Sequence, residues 1–283
     1  MTQRASPTQW IENFARFGYA AKGLVYTLIG ILAVRAAFHA GGKSTDSGGV
    51  LNTIAGQPFG KFLLVLIGLG FVAYTLWRLI EAVQNPERQD SGAKNISNRL
   101  GSLTSAIIYG GLAFTAFQLV MGVGGGDDGS QSSQVWIARV MALPLGRWLV
   151  GLGGAVVLGS GFYEIYKGFK AKFRKHLKWQ EMSAPERTWG MRVGRAGLIA
   201  RGIVFSMVGF LVLQSAYQVN PSRAQDPGGA LQTLQQWTNP WVFAIIAFGL
   251  AAYGIHMLFM ARYGRIAANR VHAPDLRNPV GRL

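Results

Sequence analysis

The chain has 283 residues, half of them hydrophobic and only 14% charged, whereas a soluble domain carries about a quarter charged residues, so lipid is the expected solvent. The absence of cysteine excludes disulfides, thiolate metal sites and cysteine nucleophiles. The formal charge of +16 invites a nucleic-acid reading, but the cations stand beside the ends of long apolar runs, where they orient a membrane protein instead of tracking a duplex.

Six apolar runs are long enough to cross a hydrocarbon core of about 30 Å, which needs roughly 20 helical residues. They are Ala20–Phe38, Phe62–Ile80, Leu100–Met121, Trp148–Tyr166, Leu198–Tyr217 and Trp241–Met260. The first is read as a retained helix, because no small-residue cleavage site follows it. The runs are continuously apolar, which disfavours a β-barrel. An all-α polytopic membrane protein is therefore expected, a single membrane domain over 1–283. Only Arg35, Lys43, Lys61, Arg139, Arg147 and Arg223 of the 28 Lys and Arg fall on the side opposite the termini. By the positive-inside rule both termini and the basic loop 167–196 face the cytoplasm.

The spans fall into three hairpins, approximately 10–90, 91–180 and 190–270. Arg16, Gly18, Lys22, Gly23, Tyr26 and Gly30 recur 179 residues later as Arg195, Gly197, Arg201, Gly202, Phe205 and Gly209. The middle copy is weaker: at an offset of 83 it keeps Arg99, Gly101 and Tyr109, but Ser105 replaces the second cation. A proline, Pro58, Pro144 or Pro240, precedes each even-numbered span, placed for a first helical turn. Ahead of each lies a semi-apolar stretch, Gly49–Ala55, Val135–Leu143 or Gly229–Trp237, read as a short outer interfacial helix anchored by Trp136, Trp148, Trp237 and Trp241. Two spans per unit give every copy the same polarity, so parallel repeats in a pseudo-threefold bundle are expected.

The run Arg16-Phe17-Gly18-Tyr19-Ala20-Ala21-Lys22-Gly23-Leu24-Val25-Tyr26, the segment Gln57-Pro58-Phe59-Gly60 and the ending Ala261-Arg262-Tyr263-Gly264-Arg265-Ile266 resemble the bacterial domain of unknown function 1206 family. The resemblance covers nearly the whole chain. It implies a bacterial inner-membrane protein of six helices in three repeats, and it supplies no catalytic residue, substrate or partner.

The polar residues near or within the spans are the candidates for function. Arg78 and Glu81 recur 86 residues later as Glu164 and Lys167 with their signs exchanged. Each pair has i, i+3 spacing and can form on one helix face, with long stems snorkelling to water. Alternatively Glu164 reaches Arg78 across hairpins as a gate. The third copy is expected to place Met260 and Tyr263 there. On the snorkelling reading Glu164→Gln is mild for folding. Lys22 and Arg201 are read first as topology and headgroup contacts, and second as a central anion site. His256, one turn after Tyr253, is read as a packing residue before a proton relay. No histidine pair has zinc-ligand spacing, and neither metal nor cofactor is expected.

Gly151, Ala155 and Gly159 form a small-residue stripe suited to close helix packing. Gly68-Leu69-Gly70-Phe71-Val72-Ala73 matches a dinucleotide fingerprint in letters only, because no strand precedes it. In the basic loop Lys170, Lys172, Arg174, Lys175 and Lys178 interleave with Phe173, Leu177 and Trp179, a composition for lying on anionic lipid with the aromatics among the headgroups.

No nucleophile, base and orienting group come together, so an enzyme is disfavoured. A non-enzymatic structural or interaction protein contacting anionic lipid is the first reading, and a transporter or channel for a small anionic solute the second. The bundle axis discriminates: a polar cavity lined by Lys22, Arg201, Glu164 or His256 favours transport, and a dry Gly/Ala axis favours a structural role. Accessibility tags within Lys170–Glu186 and after Leu283 are expected to report cytoplasmic, and tags within Gly41–Ser47, Gly124–Ser133 or Asn220–Gly228 external. A reversal at any loop would break the three-hairpin scheme.

Overall fold

The computed structural model describes residues 7–38, 46–84, 93–123 and 129–264. Arg4, Lys43, Arg88, Arg265, Arg270, Arg277, Arg282, His39 and His272 lie outside these residues. Among the described residues nine α-helices follow one another: α1 (Pro7–Ala37), α2 (Ser47–Ala55), α3 (Gly60–Gln84), α4 (Ala93–Met121), α5 (Gly129–Met141), α6 (Gly146–Phe169), α7 (Ala184–Gln218), α8 (Pro227–Trp237) and α9 (Pro240–Tyr263). The described residues contain no strand beyond an isolated bridge between Leu177 and Gly264. Six helices, α1, α3, α4, α6, α7 and α9, are long and apolar enough to cross a membrane. The protein is a multi-pass membrane protein. At 1.5 Å per residue α7 is about 50 Å long, so its first turns stand outside a core of about 30 Å. A capping box between Ser183 and Glu186 secures that end.

The short helices α2, α5 and α8 occupy the three expected places. Asp46 and Asp226 cap α2 and α8 through the amides of Gly49 and Gly229. The prolines behave differently in the three copies. Pro240 is the first residue of α9, after an Asn239 cap, as expected from its missing N–H. Pro58 and Pro144 instead stand in a turn, followed by Phe59 and Leu145 at φ of 61° and 62°. The next residues, Gly60 and Gly146, lie so close to the preceding short helix that a Cβ would sit 1.9 Å from the Ile54 carbonyl oxygen and 1.8 Å from that of Val140. Only glycine fits there, so the Pro-x-Gly segment is a tight reversal between the interfacial and spanning helices.

Lipid tails are as apolar as leucine, so spanning helices associate where small side chains let backbones meet. A Cβ on Gly30 would lie 2.4 Å from the Ala251 nitrogen, joining α1 to α9; one on Gly209 would lie 2.3 Å from the Leu158 nitrogen, joining α7 to α6. Within the first hairpin Gly18 meets Tyr74 and Gly70 meets Ala21. Within the third, 179 residues on, Gly197 meets Tyr253 and Gly249 meets Ala200. This register corrects the expectation for the third copy: the equivalents of Arg78 and Glu81 are Met257 and Met260. A three-residue difference in the turn before α9 misleads an alignment on the prolines.

The six spans follow the order expected of three hairpins around an axis: α4, α3, α1, α9, α7 and α6 each pack on the next. The ring is not closed. α4 and α6, the two spans of the middle hairpin, make no substantial contact with each other. Gly101, equivalent to Gly18 and Gly197, would have nothing within 4 Å of an added Cβ. The middle copy replaces Tyr74 by Ser160, Gly70 by Val156 and Ala21 by Thr104, which removes the small pair that permits approach. The Gly151, Ala155 and Gly159 stripe does not form the packing face of α6, since Gly159 also faces open space. Gly154, Gly161 and Gly168, seven residues apart, pack on α7.

A Cβ on Gly161 would lie 2.5 Å from the Ser206 backbone nitrogen, so Gly161→Leu is expected to exceed the usual overpacking cost of about 1–3 kcal/mol and abolish a monodisperse folded protein in detergent. Gly111→Leu, into open space, should leave the thermal midpoint unchanged.

Candidate functional site

The ends of the spans that carry the termini are tied together by Arg16, which pairs with Glu12 at 2.6 Å and donates to the carbonyl oxygens of Ala261 and Arg262 on α9. Inside this end lies a cavity of about 600 Å³. Its walls bring together all seven polar candidates of the spans: Lys22, Arg78, Glu81, Glu164, Lys167, Arg201 and His256. They also include Arg99, Ser102 and Ser105 of α4, and Lys172 and Lys175 of the loop after α6. Seven Lys and Arg side chains thus face two carboxylates.

Lys22 sits deepest. It is 4% exposed, and its Nζ donates to Tyr74 Oη at 3.3 Å. Four tyrosine rings surround it, with centroids at 4.8 Å (Tyr109), 5.0 Å (Tyr74), 5.7 Å (Tyr253) and 5.9 Å (Tyr26). A cation desolvated over aromatic faces gains about 2 kcal/mol or more. No carboxylate of the described residues pairs with it. Phe71 packs edge-on against Tyr109 at 5.4 Å, and Phe71, Ile67, Leu64, Phe243 and Ala247 are all buried. The cavity is lined from the basic helix ends.

Two polar networks flank Lys22. Tyr74 Oη accepts a second bond from Arg78 Nε at 2.9 Å, Arg78 pairs with Glu81 at 2.5 Å, and Ser102 of α4 donates to the same Glu81 oxygen at 3.1 Å. The chain links α1, α3 and α4. The expected i, i+3 pair of α3 therefore forms. Its counterpart on α6 does not: Glu164 pairs with Arg201 of α7 instead of Lys167 or Arg78, with both side chains 16% exposed. Lys167 lies over the Tyr163 ring at 4.7 Å. The Arg201 guanidinium stacks on Phe205 at 4.4 Å and shares Tyr253 and Tyr26 with Lys22. Two axial cations thus share aromatic neighbours, with Glu164 paired to one of them. Arg201 Nε, Glu164 Oε2 and His256 Nδ1 are buried with no hydrogen-bond partner.

His256 packs edge-on against Phe173 at 5.0 Å. That contact reveals a loop unlike the expected lipid-facing strip. Phe173 and Leu177 are buried in the protein, Leu177 bridges Gly264, and Lys178 N donates to the Tyr263 oxygen. These two apolar side chains anchor the loop to α7 and α9. Lys170, Lys172, Arg174 and Lys175 remain exposed, and Lys178 is half-buried against Glu181. Tyr263, expected at the third charged position, instead donates to Glu186 at 2.6 Å. Sequence reading missed the tyrosine cage, although Tyr26 and Tyr109 recur at equivalent repeat positions beside the cation.

The arrangement defines a class: a three-repeat, six-span membrane protein with a one-sided cationic cavity. Its sequence matches the model described as Domain of Unknown Function (DUF1206) at residues 17–85, 100–171 and 196–264, and the chain belongs to that family. It is similar to the uncharacterized protein YxxB of Bacillus subtilis (strain 168), with 36% identity over 255 residues covering 90% of this chain and 91% of the relative. No solved structure matches the chain.

Because Glu164 neutralises a largely buried Arg201, removing one partner should cost about 3–5 kcal/mol. Glu164→Gln is therefore expected to lower the detergent melting temperature clearly, reversing the mild effect expected from sequence. Joint replacement of Glu164 and Arg201 by Met should restore much of the loss. A silent Glu164→Gln would place the pair in effective contact with water.

Proposed function

We propose that this protein binds an anion in the cavity at its basic end. The observation that carries the reading is Lys22: a 4%-exposed cation in a ring of tyrosines without a carboxylate partner, beside an Arg201 whose Nε is unpartnered. Buried charge is costly unless it is paired, and an anion contacting both groups supplies the missing partner. The bonds it would accept from them are charge-assisted, which makes them about twice as strong as neutral ones. The positive-inside rule supports access from the cytoplasm, with both termini on that side. The exposed Lys170, Lys172, Arg174 and Lys175 would then lie beside an anionic leaflet, each contributing roughly 1 kcal/mol.

The axis offers support to both readings of the sequence. Leu64, Ile67, Phe71, Phe243 and Ala247 are buried apolar residues, as a structural protein requires, while the basic end is hollow and polar. Anion binding is therefore favoured over a purely structural role. Translocation is the second reading, supported by parallel repeats around a central site; it requires the Tyr26 and Tyr109 layer to part.

In nanodiscs of zwitterionic lipid, inorganic phosphate or citrate should bind by calorimetry, and Lys22→Gln should weaken binding about tenfold, equivalent to 1.4 kcal/mol. Absence of binding by phosphate, sulfate and citrate would remove the reading. Flux of labelled phosphate in proteoliposomes would add translocation, and binding without flux would leave a receptor.

A further inference from the structure

The cavity has a second feature that a soluble anion would not need. Its walls at the middle hairpin are the unpacked helices α4 and α6, contributing Ser102 and Ser105 on one side and Tyr163 and Glu164 on the other. Every other neighbouring pair of spans packs together. The register of the first hairpin puts apolar residues beside this seam: Ile108 of α4 and Val156 of α6, equivalent to Val25 and Gly70, are exposed. Ser102, Ser105 and Glu164 lie within a turn or two of the basic ends of the spans Arg99–Met121 and Gly146–Phe169.

Resting on the anion-binding reading above, we propose that the anion is the phosphate headgroup of an anionic membrane lipid, which enters sideways between α4 and α6 and leaves its acyl chains in the seam. Charge complementarity selects this occupant over a zwitterionic lipid: seven cations and two carboxylates line the hollow. A volume of about 600 Å³ falls in the range of about 300–1,000 Å³ that holds small organic ligands, so a headgroup fits without the chains. The chains would lie along the exposed Ile108 and Val156. The middle copy supplies Ser105 where its neighbours supply Lys22 and Arg201, leaving that side of the hollow clear for entry.

The chain lacks cysteine, so Ser105→Cys gives one labelling site at the seam and Ile245→Cys one on the exposed face of α9. Each is labelled with a fluorophore in phosphatidylcholine nanodiscs containing a minority of brominated phosphatidylglycerol or brominated phosphatidylcholine. At position 105 the anionic lipid should quench about fivefold more efficiently, the ratio that corresponds to roughly 1 kcal/mol for one basic group. At position 245 the two lipids should quench alike. Lys22→Gln should erase the difference at 105 and Lys22→Arg should keep it; if Lys22→Gln does not fold, Arg99→Gln with Lys167→Gln should reduce it. Equal quenching at 105 with phosphate binding intact would overturn the lipid assignment and leave the anion cavity standing. No response to either lipid or phosphate would overturn both. A label at 105 shielded from every lipid by a second copy of the chain would also overturn lateral entry.

Discussion

Close approach between spanning helices is the constraint on which the rest of this structure depends. In lipid, helices gain little from hiding apolar surface, so they join where backbone meets backbone or alanine. The first and third hairpins meet this condition through Gly70 against Ala21 and Gly249 against Ala200. The middle hairpin has Val156 and Thr104 at those places, and its two helices stand apart. One pair of substitutions thus converts a closed ring into a ring with a seam.

The site follows from the same asymmetry. A symmetric ancestor would carry three equivalent cations on the axis, where mutual repulsion in a low dielectric is severe. Here the positions hold Lys22, Ser105 and Arg201, and Glu164 from the middle copy neutralises Arg201. Lys22 keeps only tyrosine faces and a hydroxyl. The sign exchange between Arg78–Glu81 and Glu164–Lys167 is what makes this possible: it places an acid from the second hairpin opposite an arginine from the third. Divergence among the copies therefore shapes both the opening and the charge of the cavity.

Much of this was legible in the residues. Spans, short helices and repeats are periodic features that local composition encodes, and the six helices and the interfacial elements fall where hydropathy and the proline spacing place them. Partner choice was less legible. An i, i+3 pair looks self-contained on one helix, yet Glu164 turns to α7 because Arg201 is buried and needs it. The third-copy register was displaced because Pro240 starts its helix directly whereas Pro58 and Pro144 precede a glycine reversal. Phe173 and Leu177 read as lipid-facing in a basic loop, but their burial is decided by α7 and α9, far away in sequence. The stripe of Gly151, Ala155 and Gly159 was one face among several glycine faces of α6, and α7 selects another.

The middle hairpin is open while its neighbours are closed, and cavity and charge both follow from that difference. The most direct measurement is oxidative cross-linking in native membranes of Thr104→Cys with Val156→Cys, beside the equivalent third-hairpin pair Ala200→Cys with Gly249→Cys. Disulfides require Cα atoms within about 7 Å. A cross-link is expected between positions 200 and 249 and none between 104 and 156. An efficient cross-link at 104 and 156 would show a closed ring and contradict the open middle hairpin.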